Sequence, residues 1–134
     1  MNRIARALHL PFHEQLQAAR ALAWLVIVRA ALAVLPYDRI RRRAERVRPA
    51  PRSRATVESC RRALARAHAV LPGSRCLPLA IAGECLLRRA GVPARVVIGV
   101  VVDRPSRLDA HAWLESNGIV VTGAAQAARY TRLQ

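Results

Sequence analysis

The chain has 134 residues, enough for one compact domain with one core and too few for two. With 53% hydrophobic and 23% charged residues, it lies outside the low-hydrophobicity composition of disordered chains. Its formal charge of +15 comes from 23 basic residues, all arginine. That charge attracts phosphate backbones, anionic lipid or acidic polypeptide. With only 4% aromatic residues and arginines scattered along the chain, the stacking or groove-entering device of a nucleic-acid protein is missing, and no nucleic-acid partner is expected. Cys60, Cys76 and Cys85 form an odd set without a CxxC pair. They suggest neither a disulfide framework nor a zinc site, and fit a reducing cytoplasm.

The opening MNRIARALHLPFHEQ has charge but no apolar run ending in a small-residue cleavage site, so no secretory signal is expected. Residues 14–35 read as a helix, rich in Ala, Leu, Gln and Glu and stopped by Pro36. Its apolar stretch from Ala21 to Leu35 contains Arg29 and falls short of a membrane span, so membrane contact without spanning is the expectation. Arg20 and Arg29, nine positions apart, fall on opposite faces. The arginines either snorkel from a core helix or mark one that docks on a partner or rests on a membrane. A short arginine-rich helix follows over residues 37–47.

RPAPRSR, residues 48–54, breaks the chain with two prolines. It divides a helical N-terminal region with a basic linker, residues 1–54, from a core at residues 55–134. Thr56, with Glu58 in the first turn, opens a helix to about Val70, which ends before the Pro-Gly turn of LPGSR. The next helix contains CLPLAIAGECLLRRA and stops at Gly91, with Arg88 and Arg89 in its last turn. ARVVIGVVV, residues 94–102, is apolar on both faces and reads as a buried central strand. After a polar loop, DRPSRL, the segment DAHAWLES alternates as a strand, and Asn117-Gly118 marks a type I′ hairpin into IVVT. AAQAARYTRLQ at the end is either a short helix or a covering tail.

Pro78 is tolerated only in the first turn of its helix, where no backbone N–H partner is lost. Cys76 therefore sits at that helix's N-terminus. There the macrodipole favours thiolate over thiol, and free N–H groups face whatever the sulfur attacks. One element thus supplies a nucleophile and half of an oxyanion hole. Cys85, nine residues on, points about 180° away around the same helix and cannot share the site; Cys60 lies in another helix with no base organised beside it. Of the four histidines, His9, His13, His68 and His111, only His111 stands in a strand with polar and aromatic neighbours. Asp109, Trp113 and Glu115 share its face by the period of two. His111 is the candidate base, and Trp113 a wall that shields the pocket from water.

A Cys opening a helix, then LLRRAGVPARVVIGV, then AHAWLESNG resembles the transglutaminase-like leader peptidases of lasso-peptide biosynthesis, within the papain-type cysteine proteases. The resemblance covers roughly Ser74 to Leu133. It implies an α+β fold: N-terminal helices followed by a transglutaminase-like core, with the cysteine at the N-terminus of a helix packed on a small antiparallel sheet. It also implies ATP-independent cleavage of a precursor's leader segment; no cofactor or metal is expected. The implied partners are the precursor leader, a separate small leader-recognition protein and an asparagine-synthetase-like cyclase. The family's nucleophile falls on Cys76 and its base on His111. Its acid is expected on the strand after the hairpin, where IVVTGAAQAAR has no carboxylate. Glu115 from the His111 face, an amide such as Asn117 or Gln126, or the backbone alone are the substitutes. Residues four apart on a strand lie about 13 Å apart, so Glu115 reaches His111 only through a bend or bulge. A second reading keeps the fold and drops catalysis: an arginine-rich helical adaptor binding an acidic partner or nucleic acid through residues 37–66.

Overall fold

The computed structural model describes residues 3–50, 55–71, 73, 76–104, 107–123 and 131–132, apart from the side chains of 3, 4, 7, 101–104, 107–109 and 131–132. Among the described residues the fold is α+β. Helices α1 (Arg3–Leu8), α2 (Phe12–Val34), α3 (Tyr37–Glu45), α4 (Val57–Val70) and α5 (Cys76–Arg89) precede strands β1 (Arg95–Arg104), β2 (Arg107–Ser116), β3 (Ile119–Thr122) and β4 (Thr131–Arg132). The sheet order is β3-β2-β1-β4, with every neighbouring pair antiparallel.

Prolines set the first helical boundaries. Pro11 and Pro36 stand just before α2 and α3 with φ of −54° and −63°, the value their rings impose and the one a helix start needs. Thr56 caps α4 more firmly. Its side chain accepts the Ser59 N–H while the Ser59 hydroxyl accepts the Thr56 N–H, so two donors at the helix end are satisfied reciprocally. At the end of α5, Gly91 takes φ +78° and lets Val92 N–H reach back to the Leu87 carbonyl at 2.9 Å, the Schellman closure.

The core lies between α2, α4, α5 and the sheet. Ala21, Leu25 and Val28 of α2, Ile40 and Ala44 of α3, and Cys60, Ala63, Leu64 and Ala67 of α4 join the α5 residues and Leu114 in one buried cluster. Helices on both sides of segment 48–54 thus share a core; residues 51–54 themselves lie outside the described set. The long helix α2 is apolar and long enough to cross a membrane by length and composition, and it packs on α4 and α5.

Two strand expectations change. β1 and β2 run further toward each other than the polar loop DRPSRL suggested, leaving only 105–106 between them outside the described set, with a register irregularity between Val102 and Arg104. In the C-terminal stretch expected as helix or tail, Thr131 and Arg132 add a short strand along β1, opposite Val100 and Gly99. The hairpin forms as expected: Asn117 and Gly118 take φ of 51° and 79°, the left-handed pair of a type I′ turn.

Candidate active site

The cysteine helix is pinned to the sheet by a glycine. A Cβ on Gly83 would stand 2.5 Å from Leu114 Cδ2 and 2.9 Å from Leu64 Cδ1. Only a residue without a side chain lets α5 approach β2 this closely. Cys76, Ala80, Gly83 and Leu87 follow the four-three-four spacing of one helical stripe. The seat at Gly83 therefore also aims the first residue of α5 at β2.

Cys76 is the first residue of α5, with Pro78 inside the first turn, as the sequence required. Its thiol is half-buried, and its Sγ accepts the backbone N–H of Ala112 at 3.4 Å. Among the described residues β3 pairs with β2 no further along than Leu114 opposite Thr122. The sulfur takes the Ala112 amide beyond that point. That amide is the one bonded to the carbonyl carbon of His111, so the structure brings the candidate nucleophile to the backbone of the candidate base.

Alternation along β2 sorts the side chains. Ala112 and Leu114 enter the core beneath the helices, while His111, Trp113 and Glu115 occupy the other face. There the His111 and Trp113 rings stack with centroids 6.5 Å apart and planes inclined by 23°. Trp113 is fully buried, and its indole N–H donates to Glu115 Oε1 at 3.0 Å. Glu115 thus meets Trp113, the ring that stacks on His111. The register of β2 against β3 shifts between Leu114 and Glu115, an irregularity of the kind on which a contact from Glu115 to His111 was conditional. Asn117 lies in the hairpin turn, six residues from His111 and so about 20 Å along the strand. Gln126 and the Asp109 side chain lie outside the described residues.

Sequence reasoning passed over Gly123. It takes φ +76°, and a Cβ there would come within 3.2 Å of both His111 Nε2 and Trp113 Cβ. The chain leaving β3 crosses directly against the buried imidazole edge. The signal available was a glycine immediately after a strand, which marks a close backbone approach. The other two cysteines are occupied elsewhere. Cys85 is buried on the far side of α5, and loss of hydration pushes its thiol up to about 12. Burial also raises Cys60, whose sulfur accepts from Gln17 Nε2 at 3.4 Å.

A helix-initial cysteine set against a histidine-bearing strand agrees with what a comparison with protein families finds. The model of the transglutaminase-like superfamily matches residues 22–134. The chain belongs to that superfamily. No curated protein and no solved structure matches it. The transglutaminase-like match begins inside α2, at residue 22, well before Ser74. The superfamily comprises cysteine-dependent hydrolases and transferases, cysteine peptidases among them.

Proposed function

We propose that the chain is a cysteine peptidase that removes the leader segment of a lasso-peptide precursor, with Cys76 as nucleophile and His111 as general base and acid. The observation that carries this reading is the Cys76 sulfur at the start of α5, hydrogen-bonded to the amide that follows His111. That position sets the sulfur where the unpaired N–H groups of a helix's first turn face whatever it attacks.

In this mechanism the Cys76 thiolate attacks the carbonyl carbon of the bond between leader and core, and a C–S bond forms. The tetrahedral oxyanion is held by N–H groups at the start of α5, that of Cys76 included. Protonated His111 gives its proton to the leaving nitrogen, the C–N bond breaks, and the core departs with a free amine. His111 then takes a proton from water, whose oxygen attacks the thioester; the C–S bond breaks, and the leader leaves with a free carboxylate. Glu115 acts through Trp113, fixing the ring that stacks on His111, and is a positioning residue. Trp113 also keeps water from the far side of the imidazole. The leader is presented by a separate recognition protein, a cyclase closes the ring afterwards, and the reaction takes place in the cytoplasm.

Precursor cleavage followed by mass analysis tests the assignment. Cys76→Ala and His111→Ala should each lose roughly 10³-fold or more of the rate, and Glu115→Gln about tenfold. Retained cleavage in either of the first two variants sinks the site. Products carrying an amine adduct instead of two free termini would make the chain a transferase.

A further inference from the structure

A second concave site lies at the opposite end of α5 from Cys76. It is a cavity of about 660 Å³ between α2, α4 and α5, with Arg20, Arg62, Arg66 and Arg89 in its lining against one carboxylate, Glu14. The reactive end is ten to fourteen residues away along α5, about 15 to 20 Å. His13, Gln17, Arg20 and Trp24 follow helical spacing down one face of α2, as do Ser59, Arg62 and Arg66 down α4. The far wall is fixed by residues 48–50: Ala50 N–H donates to the Arg89 carbonyl at 2.7 Å, and Arg89 Nη1 donates to the Arg48 carbonyl at 3.2 Å.

The charges in this cavity do not balance internally. Arg66 pairs with Glu14 at 3.0 Å, whereas Arg20 and Arg62 have no carboxylate partner among the described residues. Like charges that line one cavity repel one another unless an anion joins them, and the planar forks of guanidinium groups match carboxylates in bidentate geometry. Trp24, Leu16 and Leu86 add an apolar lining. A carboxylate in the wall repels a polyphosphate yet can accept the N–H groups of a polypeptide, and a single aromatic residue offers no stacking ladder for bases.

We propose that this cavity binds an acidic peptide segment, its carboxylates on Arg20 and Arg62 and an apolar side chain against Trp24. Only the identity of that segment as part of the cleaved substrate rests on the peptidase reading. Spanning 15 to 20 Å takes five or six extended residues, so a segment seated here lies at least that far from the scissile bond. The site would then anchor the substrate at a distance from the chemistry.

The test uses the full chain carrying Cys76→Ala, so that binding is read without cleavage. The probe is a fluorescein-labelled decapeptide of alternating Glu and Leu, followed by anisotropy. Binding should weaken at least tenfold when Arg20→Gln and Arg62→Gln are added, and less than twofold when Arg42→Gln and Arg43→Gln remove the same charge from α3. A decapeptide of Gln and Leu should bind at least tenfold less tightly than the acidic one. Intrinsic fluorescence should change on binding and lose that change in Trp24→Phe. All four arginines are exposed or end in solvent on their helices, and circular dichroism checks that each variant is folded. Equal losses in the two arginine pairs, or unchanged affinity in Arg20→Gln/Arg62→Gln, would overturn the site. So would a ten-nucleotide oligothymidylate that binds more tightly and displaces the peptide. Failure of cleavage by the intact chain, with these binding results standing, would count against the peptidase reading alone.

Discussion

The first turn of α5 differs sharply from the rest of the same continuous helix. The first turn is open: Cys76 is half-buried, and its sulfur accepts a backbone amide from β2. The second half is locked. Glu84, Cys85, Leu86 and Leu87 are buried, and Arg88 ties Glu84 at 3.1 Å to the Glu45 carbonyl at 3.2 Å and the Ala94 carbonyl at 3.1 Å. Rigidity at one end gives position to the other, since a reactive group must be held by a scaffold that does not itself move. The same helix also shows what burial does to one residue type. Cys85, nine residues from Cys76, has a thiol pushed up to about 12.

Alkylation reads that contrast most directly. With its thiol pushed up to about 12 by burial, Cys85 carries little reactive thiolate at pH 7, and burial also suppresses Cys60. Iodoacetamide at neutral pH should therefore modify Cys76 at least a hundredfold ahead of both, as peptide mapping of the labelled chain would show. Equal, slow labelling of all three would break the contrast and favour an adaptor without catalysis.

The locked half is broken by Arg88→Met. Loss of hydration already raises the Glu84 carboxyl, with Arg88 pulling the other way, so removing the guanidinium leaves a buried carboxylate without its partner. The cost should be about 2 kcal/mol, below that of a fully buried pair because Arg88 is partly exposed. The sign of the pH dependence follows. A carboxyl whose folded pKa is raised disfavours folding once pH exceeds the unfolded value, so the penalty of Arg88→Met should shrink as pH falls and Glu84 takes up a proton. Urea unfolding at pH 7 and pH 5 checks this; a penalty that grew toward pH 5 would contradict it. Adding Glu84→Gln should recover much of the loss at pH 7.

What the sequence disclosed follows from how local each constraint is. Pro78 placed the start of α5, Asn117-Gly118 the hairpin and Gly91 the end of α5, because each acts on the backbone within a few residues. The strand pairing of Thr131 and Arg132 with β1, and the approach of Gly123 to His111, depend on partners the chain brings together only after folding. A core helix was one reading of α2, but the helices it packs on were hidden for a related reason. Arg20 and Arg29 on opposite faces obscured the apolar seam of α2, whose buried residues are Ala21, Leu25 and Val28. The arginine cavity is drawn from three helices, so no single stretch of sequence signals it.

Gly83 joins the two halves of α5, and its replacement is the mildest of these tests. A Cβ there meets Leu114 and Leu64 at 2.5 and 2.9 Å. Both contacts are flexible side-chain ends, but both leucines are almost fully buried and have little room to turn aside. Overpacking of this kind costs about 1 to 3 kcal/mol, and alanine's better helix propensity returns up to about 1 kcal/mol. Gly83→Ala should therefore lose about 1 kcal/mol and lower the Tm by roughly 3 to 5 °C. The separation of α5 from β2 must grow at Leu114, two residues from the Ala112 amide that holds Cys76. Cleavage should fall by more than the stability change explains, measured well below the melting transition. A variant that melts lower yet cleaves at the full rate would mean that the position of Cys76 is set by its own turn and not by the seat at Gly83.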